Sequence, residues 1–164
     1  NSSWWELERR LALIYLGKSH VSSLVHEKVI AELEDEGPEA PRLNALRGTA
    51  EQSRDAIYAG DFAALGRTMV ENTEAQGRLH PDLISEDARQ VIEIATSYGA
   101  LGWKVNGAGG EGGSLTLLSP AQSYVKREMI QAIEDESSLF QNIPIYLSRY
   151  GLRIWEQHRE HGDC

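Results

Sequence analysis

Apolar residues recur along this chain with two different periods, and the switches between them mark out its elements. Residues 11–16, LALIYL, are apolar without a break and stop at Gly17, which suits a central strand. Alternation puts Leu11, Leu13 and Tyr15 on one face and Ala12, Ile14 and Leu16 on the other, so both faces want cover. Residues 4–10, WWELERR, are amphipathic but short, a helical turn or an extended lead-in. After a polar turn, Ser22 or Ser23 caps a helix carrying Val25, Val29, Ile30 and Leu33, ended by Glu34-Asp35-Glu36-Gly37-Pro38. Leu43, Leu46, Ala50, Ser53 and Ile57 repeat at helical spacing and predict a helix over residues 41–59. Gly60-Asp61 is a turn with Asp61 as the next N-cap. Phe62, Leu65, Met69, Thr73, Gln76 and Leu79 then form a second stripe, whose apolar face is interrupted by Asn72, Thr73 and Gln76. His80-Pro81-Asp82 breaks that helix. Ser85 caps another, with Ala88, Val91, Ile92 and Ala95 facing inward and Tyr98-Gly99 closing it.

The period then changes from helical to alternating. Residues 101–105 predict a strand, residues 107–113 hold five glycines in seven positions, and residues 115–118 predict a second, buried strand. Ser119 as N-cap and Pro120 at the first helical position predict a helix with Tyr124, Val125, Met129, Ala132 and Ile133 as its buried stripe. Residues 143–147 read as a strand, with Pro144 placing it at an edge or a strand start, and residues 152–155 continue extended. The resulting order, β-α-β-β-α-β, predicts an α+β fold: a ferredoxin-like plait with a four-stranded antiparallel sheet, helices on one face, and extra helices in the first crossover. The first and third strands of that plait are central, and the two most apolar strands fall in those places.

Composition narrows the function more than the fold. The 164 residues suit one domain, spanning residues 1–164. A net charge of −9 disfavours nucleic acid and anionic membranes as partners, since both call for a basic surface. It also repels a free nucleotide at long range, so a phosphate site has to work locally. One cysteine, Cys164, rules out an internal disulfide and a thiolate zinc site, and no apolar run approaches membrane-spanning length; the expectation is a cytoplasmic protein. The start Asn1-Ser2-Ser3, without methionine, sets the expectation of a processed, tagged or excised piece. No G-x-S-x-G, G-K-[ST] phosphate loop or H-E-x-x-H occurs. His158, His161, Asp163 and Cys164 have a spacing that suits a metal, but sit in a polar tail expected to fray, and no metal site is expected.

The glycine run carries the sharpest chemistry. Gly107, Gly109, Gly110, Gly112 and Gly113 let the backbone enter positive φ and let another molecule approach the main chain. Successive N–H groups in such a turn make a concavity suited to phosphate oxygens; a flexible hairpin loop is the plain alternative. On the preceding helix, Asn72 and Gln76 lie one turn apart, either at a helix edge or facing a polyol.

The segment Gly102-Trp103-Lys104-Val105-Asn106-Gly107-Ala108-Gly109-Gly110-Glu111-Gly112, after a helix and before an apolar strand, resembles the third signature motif of the GHMP small-molecule kinases. Its nearest likeness there is to sugar kinases of the heptose-phosphate and fucose kinase type. Trp103 stands where that pattern has alanine, and Glu111 where it has glycine. A carboxylate in a phosphate loop repels phosphate unless a metal or basic group intervenes. Glu111 thus helps hold Mg2+, points to solvent, or marks a loop that no longer binds phosphate.

The resemblance implies the C-terminal domain of an ATP-dependent kinase for a sugar or sugar phosphate. In it Gly107, Ala108, Gly109, Gly110, Glu111, Gly112 and Gly113 back the ATP phosphates, and Asn72, Gln76 and Lys104 lie on the substrate side. Met69-Val70-Glu71-Asn72 fits the family's Met-bearing helix beside the substrate cleft, and the turn Gly17-Lys18-Ser19-His20-Val21-Ser22-Ser23 is implied to lie near that cleft. The catalytic Asp and Lys and the main nucleotide motif belong to the N-terminal half, the implied partner, so no catalytic residue is expected in this chain. ATP and Mg2+ are the implied cofactors of the complete enzyme, and the chain alone is expected to be inactive. Two other classes stay open from the residues: a non-catalytic ligand-binding or homodimerisation module, and a phosphate-binding regulatory domain.

Overall fold

The computed structural model describes residues 2–17, 22–34, 37, 40–107, 109–148, 150 and 154. Helix α1 (Ser2–Arg10) leads directly into strand β1 (Leu11–Tyr15). Three helices follow, α2 (Ser22–Leu33), α3 (Pro41–Ala59) and α4 (Phe62–Leu79), then a short 3-10 turn (Pro81–Leu83) and α5 (Glu86–Ser97). The hairpin β2 (Gly102–Val105) and β3 (Ser114–Leu118), helix α6 (Ser123–Glu136) and strand β4 (Gln141–Ile143) complete it. The sheet order is β2-β3-β1-β4 and every neighbouring pair is antiparallel. This is the expected ferredoxin-like plait, with β1 and β3 in the centre and α2, α3 and α4 as the additions to the first crossover.

The core lies on one face of the sheet. Ala12, Ile14 and Leu16 point there with Leu115, Leu117 and Val105, and meet Ala88, Val91 and Ala95 of α5 and Met129 and Ile133 of α6. A fully buried Val, Leu or Ile is worth about 1.5–3 kcal/mol, so this layer is the main source of stability. The other face is only partly covered: Leu11, Leu13 and Tyr15 are half-buried. The helices are therefore not confined to one face, as the sequence had suggested. Helix α4 meets the second face at β2, where Gly66 and Gly102 touch; a Cβ on Gly66 would stand 2.1 Å from the Leu101 carbonyl oxygen. Leu118 packs there with Leu65 and Ala56, and the Arg10 guanidinium lies 4.6 Å over the Phe62 ring.

Several expectations are corrected. Residues 4–10 form part of a complete helix, braced by Glu6, which accepts from Arg9 (2.6 Å) and Arg10 (2.7 Å). Helix α3 has the predicted bounds but not the predicted stripe: Thr49 and Ala56 are its buried residues, while Ala50 and Ile57 are exposed. Its contact with α4 is mixed: Ala56 packs on Leu65, while Ser53 and Thr68 share a hydroxyl bond of 2.8 Å, so small and polar residues occupy much of the buried face. On α2, Ile30 is exposed. Helix α6 starts at Ser123 rather than after Ser119: the Ser119 N–H donates to the Arg10 carbonyl (3.0 Å), which ties the residue just beyond β3 to the end of α1. Tyr124 is consequently exposed. Strand β4 ends at Ile143 instead of running through residue 147: Pro144 has no N–H to continue the ladder, and the Leu147 N–H turns to Glu8 (2.8 Å). The extended stretch expected at residues 152–155 lies outside the described residues, except for Ile154.

Candidate functional site

Helix α4 is set by its start and by its contact with β2. The Asp61 carboxylate accepts from the Ala64 N–H (2.9 Å) and fixes the first turn, as its position in the sequence predicted. Three turns later Thr73 sits against the free edge of β2. Its hydroxyl lies 3.1 Å from the Trp103 carbonyl and accepts from the Val105 N–H at 3.3 Å. The edge strand is thereby capped by a side chain, and α4 is locked in rotation about its axis.

That rotation brings Asn72 and Gln76 to a cavity of about 330 Å3. Val29 and Leu46 from the crossover helices, with Leu79 and Leu83, make its apolar wall; Asn72, Gln76, Lys104 and Gly107 make its polar end. All three residues assigned to the substrate side from the sequence thus meet in one place, together with the first glycine of the loop. Their roles differ in detail. Asn72 donates to the Thr49 hydroxyl at 2.6 Å, which in turn donates to the Leu46 carbonyl at 2.8 Å. Gln76 is buried, accepts from the Lys104 ammonium at 2.6 Å and donates to the Gly107 carbonyl at 2.9 Å. Lys104 also donates to the Val105 carbonyl. Burial pushes the Lys104 amine down to about 8.

The glycine loop is a built structure. Gly107, Gly109, Gly110, Gly112 and Gly113 all have positive φ. Gly110 donates to the Leu83 carbonyl at 3.1 Å, and Ile84 and Gly110 form a parallel bridge. A Cβ on Gly109 would stand 1.8 Å from that same carbonyl oxygen, so glycine is required there for close approach as well as for φ. Asn106 braces the loop's base, donating to the Ser114 hydroxyl (3.0 Å) and accepting from Thr116 (3.1 Å). Glu111 is exposed at the tip. Ala108 lies outside the described residues, as do residues 18–21 of the turn after β1 and the tail from residue 155 onward.

Leu83 was not singled out in the sequence, and Val29 and Leu46 stood there only as helix-stripe residues. Leu83 and the crossover residues act through tertiary contact, which leaves no local pattern. Asn106 stood inside the motif, and its position before the first glycine was an unused signal. Among the described residues, no group of three or more His, Cys, Asp or Glu side chains is placed to hold a metal ion. Nor is any described helix long and apolar enough to cross a membrane.

Residues 53–132, just under half of the chain, match the family model described as GHMP kinases C terminal. That span runs from the middle of α3 into α6 and includes the cavity's polar end and the whole glycine loop. No curated protein matches the chain in sequence. Among solved structures, mevalonate kinase from L. major, in complex with R-mevalonate, is similar at a TM-score of 0.68 and 20% identity, over 80% of this chain and 41% of that one. Phosphomevalonate kinase from Streptococcus pneumoniae, in complex with phosphomevalonate and AMPPNP, is similar at 0.63 and 18%, over 81% and 39%. A protein described as a sugar kinase from Campylobacter jejuni is similar at 0.56 and 16%, over 92% and 40%. The chain therefore spans about two fifths of the length of these structures, and at such identities the likeness is one of fold.

Proposed function

We propose that this chain is the C-terminal half of an ATP-dependent small-molecule kinase of the GHMP type, and that its glycine loop and the adjoining cavity serve the two substrates. The reaction moves the γ-phosphoryl group of ATP to an acceptor hydroxyl, with positioning and charge stabilisation as the protein's main work. The observation that carries the reading is the Gln76 amide, which bonds a cavity-lining lysine on one side and the first glycine of the loop on the other. One buried side chain thus holds a phosphate-type loop in register with a pocket of small-molecule size.

In this reading the loop contributes through its 111–113 turn, since the Gly109 and Gly110 amides are already bonded within the chain. Asn72, Gln76 and Lys104 face the acceptor, a sugar or sugar phosphate; three hydrogen-bonding side chains in one cavity favour a polar acceptor. The exposed Glu111 is a single carboxylate, and the described residues do not fit a metal, so Mg2+ enters with ATP and with residues of the N-terminal half. The catalytic groups belong to that half as well, and the 164-residue chain alone is inactive.

The test is a phosphotransfer assay on a polypeptide that joins this chain to its N-terminal half, with sugars, sugar phosphates and other small alcohols as acceptors. ADP release that depends on one acceptor class, and that disappears in Gly109→Val, is the expected result. Mg·ATP binding no tighter than that of the 164-residue chain, with no ADP release for any acceptor, overturns the reading.

A further inference from the structure

We propose that the polar end of the α4–β2 cavity is an anion subsite, in which Lys104 takes a carboxylate or phosphate group of the ligand while Asn72 and Gln76 hold the atoms beside it. The inference rests on the acceptor reading of the same cavity and sharpens it: a neutral sugar would not satisfy the site, whereas a sugar phosphate or a hydroxy acid would.

The chain carries 25 Asp and Glu against 16 Lys and Arg, yet the only charged side chain lining this cavity, among the described residues, is Lys104. A random sample of this surface would be acidic; the cavity is positive. Lys104 also carries a donor without a partner among the described residues. An ammonium group has three N–H donors. Two of those on Lys104 go to the Gln76 and Val105 carbonyl oxygens, and no carboxylate among the described residues pairs with it. A half-buried cation with only neutral partners is costly unless an opposite charge arrives. Consistent with this, the fall in the Lys104 pKa has desolvation as its cause, with no acidic neighbour opposing it.

The cavity's shape completes the description of the ligand. At about 330 Å3 it lies at the small end of ligand pockets. Leu79, Leu83 and Leu46 make an apolar wall beside the lysine. The matching molecule is small, anionic at one end, and carries a short hydrocarbon or ring segment next to the charge.

The experiment follows the Lys104 Cε resonance and the Asn72 and Gln76 side-chain amides in the 164-residue chain. The probes are lactate, inorganic phosphate and glycerol. A saturable shift with lactate or phosphate, and a Lys104 pKa climbing from about 8 toward the ordinary 10.5, is expected. Whichever anion saturates at the lower concentration assigns the group as carboxylate or phosphate. Lys104→Met should weaken that anion at least about tenfold, read at the Asn72 amide. Should that variant fail to fold, the pKa shift in the native chain decides alone. Undiminished anion binding in Lys104→Met, or an unmoved Lys104 pKa at saturating anion, overturns the subsite. Glycerol that shifts Asn72 and Gln76 while the anions leave Lys104 untouched removes the anion subsite but keeps the acceptor cavity; no response to any probe removes both.

Discussion

Lys104 is the residue in which fold and chemistry compete most openly. Strand β2 places it on the sheet face that looks into the cavity, and burial there lowers its pKa to about 8 from 10.5. Between those two values the unfolded chain binds more protons than the folded one. Stability against unfolding therefore rises with pH across that window, and the burial penalty is felt in full below it. Lys104→Met should flatten the rise, measured as the urea midpoint at a series of pH values from 7 to 11. Solvent at the cavity mouth screens the charge, so the slope lost is expected to amount to on the order of 1 kcal/mol over the window, well below the unscreened conversion of the shift. The variant also leaves the Gln76 carbonyl oxygen without its donor, so the pH slope, rather than absolute stability at neutral pH, is the quantity that isolates the charge. Gly109 poses a different test. Its φ of 63° and the approach of Leu83 both exclude a side chain, so Gly109→Ala should detach the loop from Leu83 and leave the sheet intact. The check is amide hydrogen exchange. Protection should fall selectively at Gly110, whose N–H bonds the Leu83 carbonyl, and stay unchanged at Leu115 and Leu117.

At the level of elements, the contact between α4 and β2 decides where the cavity is. It is made backbone to backbone, through Gly66 and Gly102, neither of which has positive φ. Alanine normally favours a helix over glycine by about 1 kcal/mol. Gly66→Ala should nevertheless be destabilising, by a net of about 2 kcal/mol or more, since its Cβ has no room beside the Leu101 carbonyl. A raised denaturation midpoint for this variant would contradict the close contact. The same contact shows why some elements were legible in the sequence and others were not. β1, β3 and α5 face a deep apolar layer, so alternation or helical spacing exposed them directly. The caps Asp61 and Ser85 were legible because their bonds, to Ala64 (2.9 Å) and Ala88 (3.1 Å), are local. The buried face of α3 and the start of α6 were misread because their neighbours are set by tertiary contacts: Thr49 and Ser53 meet polar groups of α4, and Ser119 is held by Arg10. Of the candidate site, the glycine loop and the three polar residues that line the cavity stood out from motif and spacing. Leu83, which docks the loop, was not, because nothing in its sequence surroundings marks a carbonyl that two glycines approach.

Across the whole molecule, the core on one face of the sheet leaves the other face free to carry the cavity, and Gln76 is where the two halves of the proposed reaction join. Its carbonyl oxygen takes Lys104 and its amide holds Gly107, so the ligand proposed at the lysine and the phosphate proposed at the loop would bias the same side chain. Coupling between two such sites is reciprocal: whatever factor one ligand applies to the other's affinity is returned. Asn72 lines the same cavity but donates to Thr49 in α3, and among the described residues it makes no hydrogen bond to the loop. The two residues should therefore separate in a complete kinase. Asn72→Ala should raise KM for the acceptor while leaving KM for ATP unchanged. Gln76→Ala should raise both and abolish the dependence of one on the concentration of the other. Gln76→Glu keeps an oxygen for Lys104 but loses the donor to Gly107 and sets a carboxylate against the lysine, so it should restore neither ATP binding nor that of an anionic acceptor. If Gln76→Ala altered acceptor binding alone, the loop would be held by its Leu83 and Asn106 contacts, and the buried amide would be part of the pocket wall and nothing more.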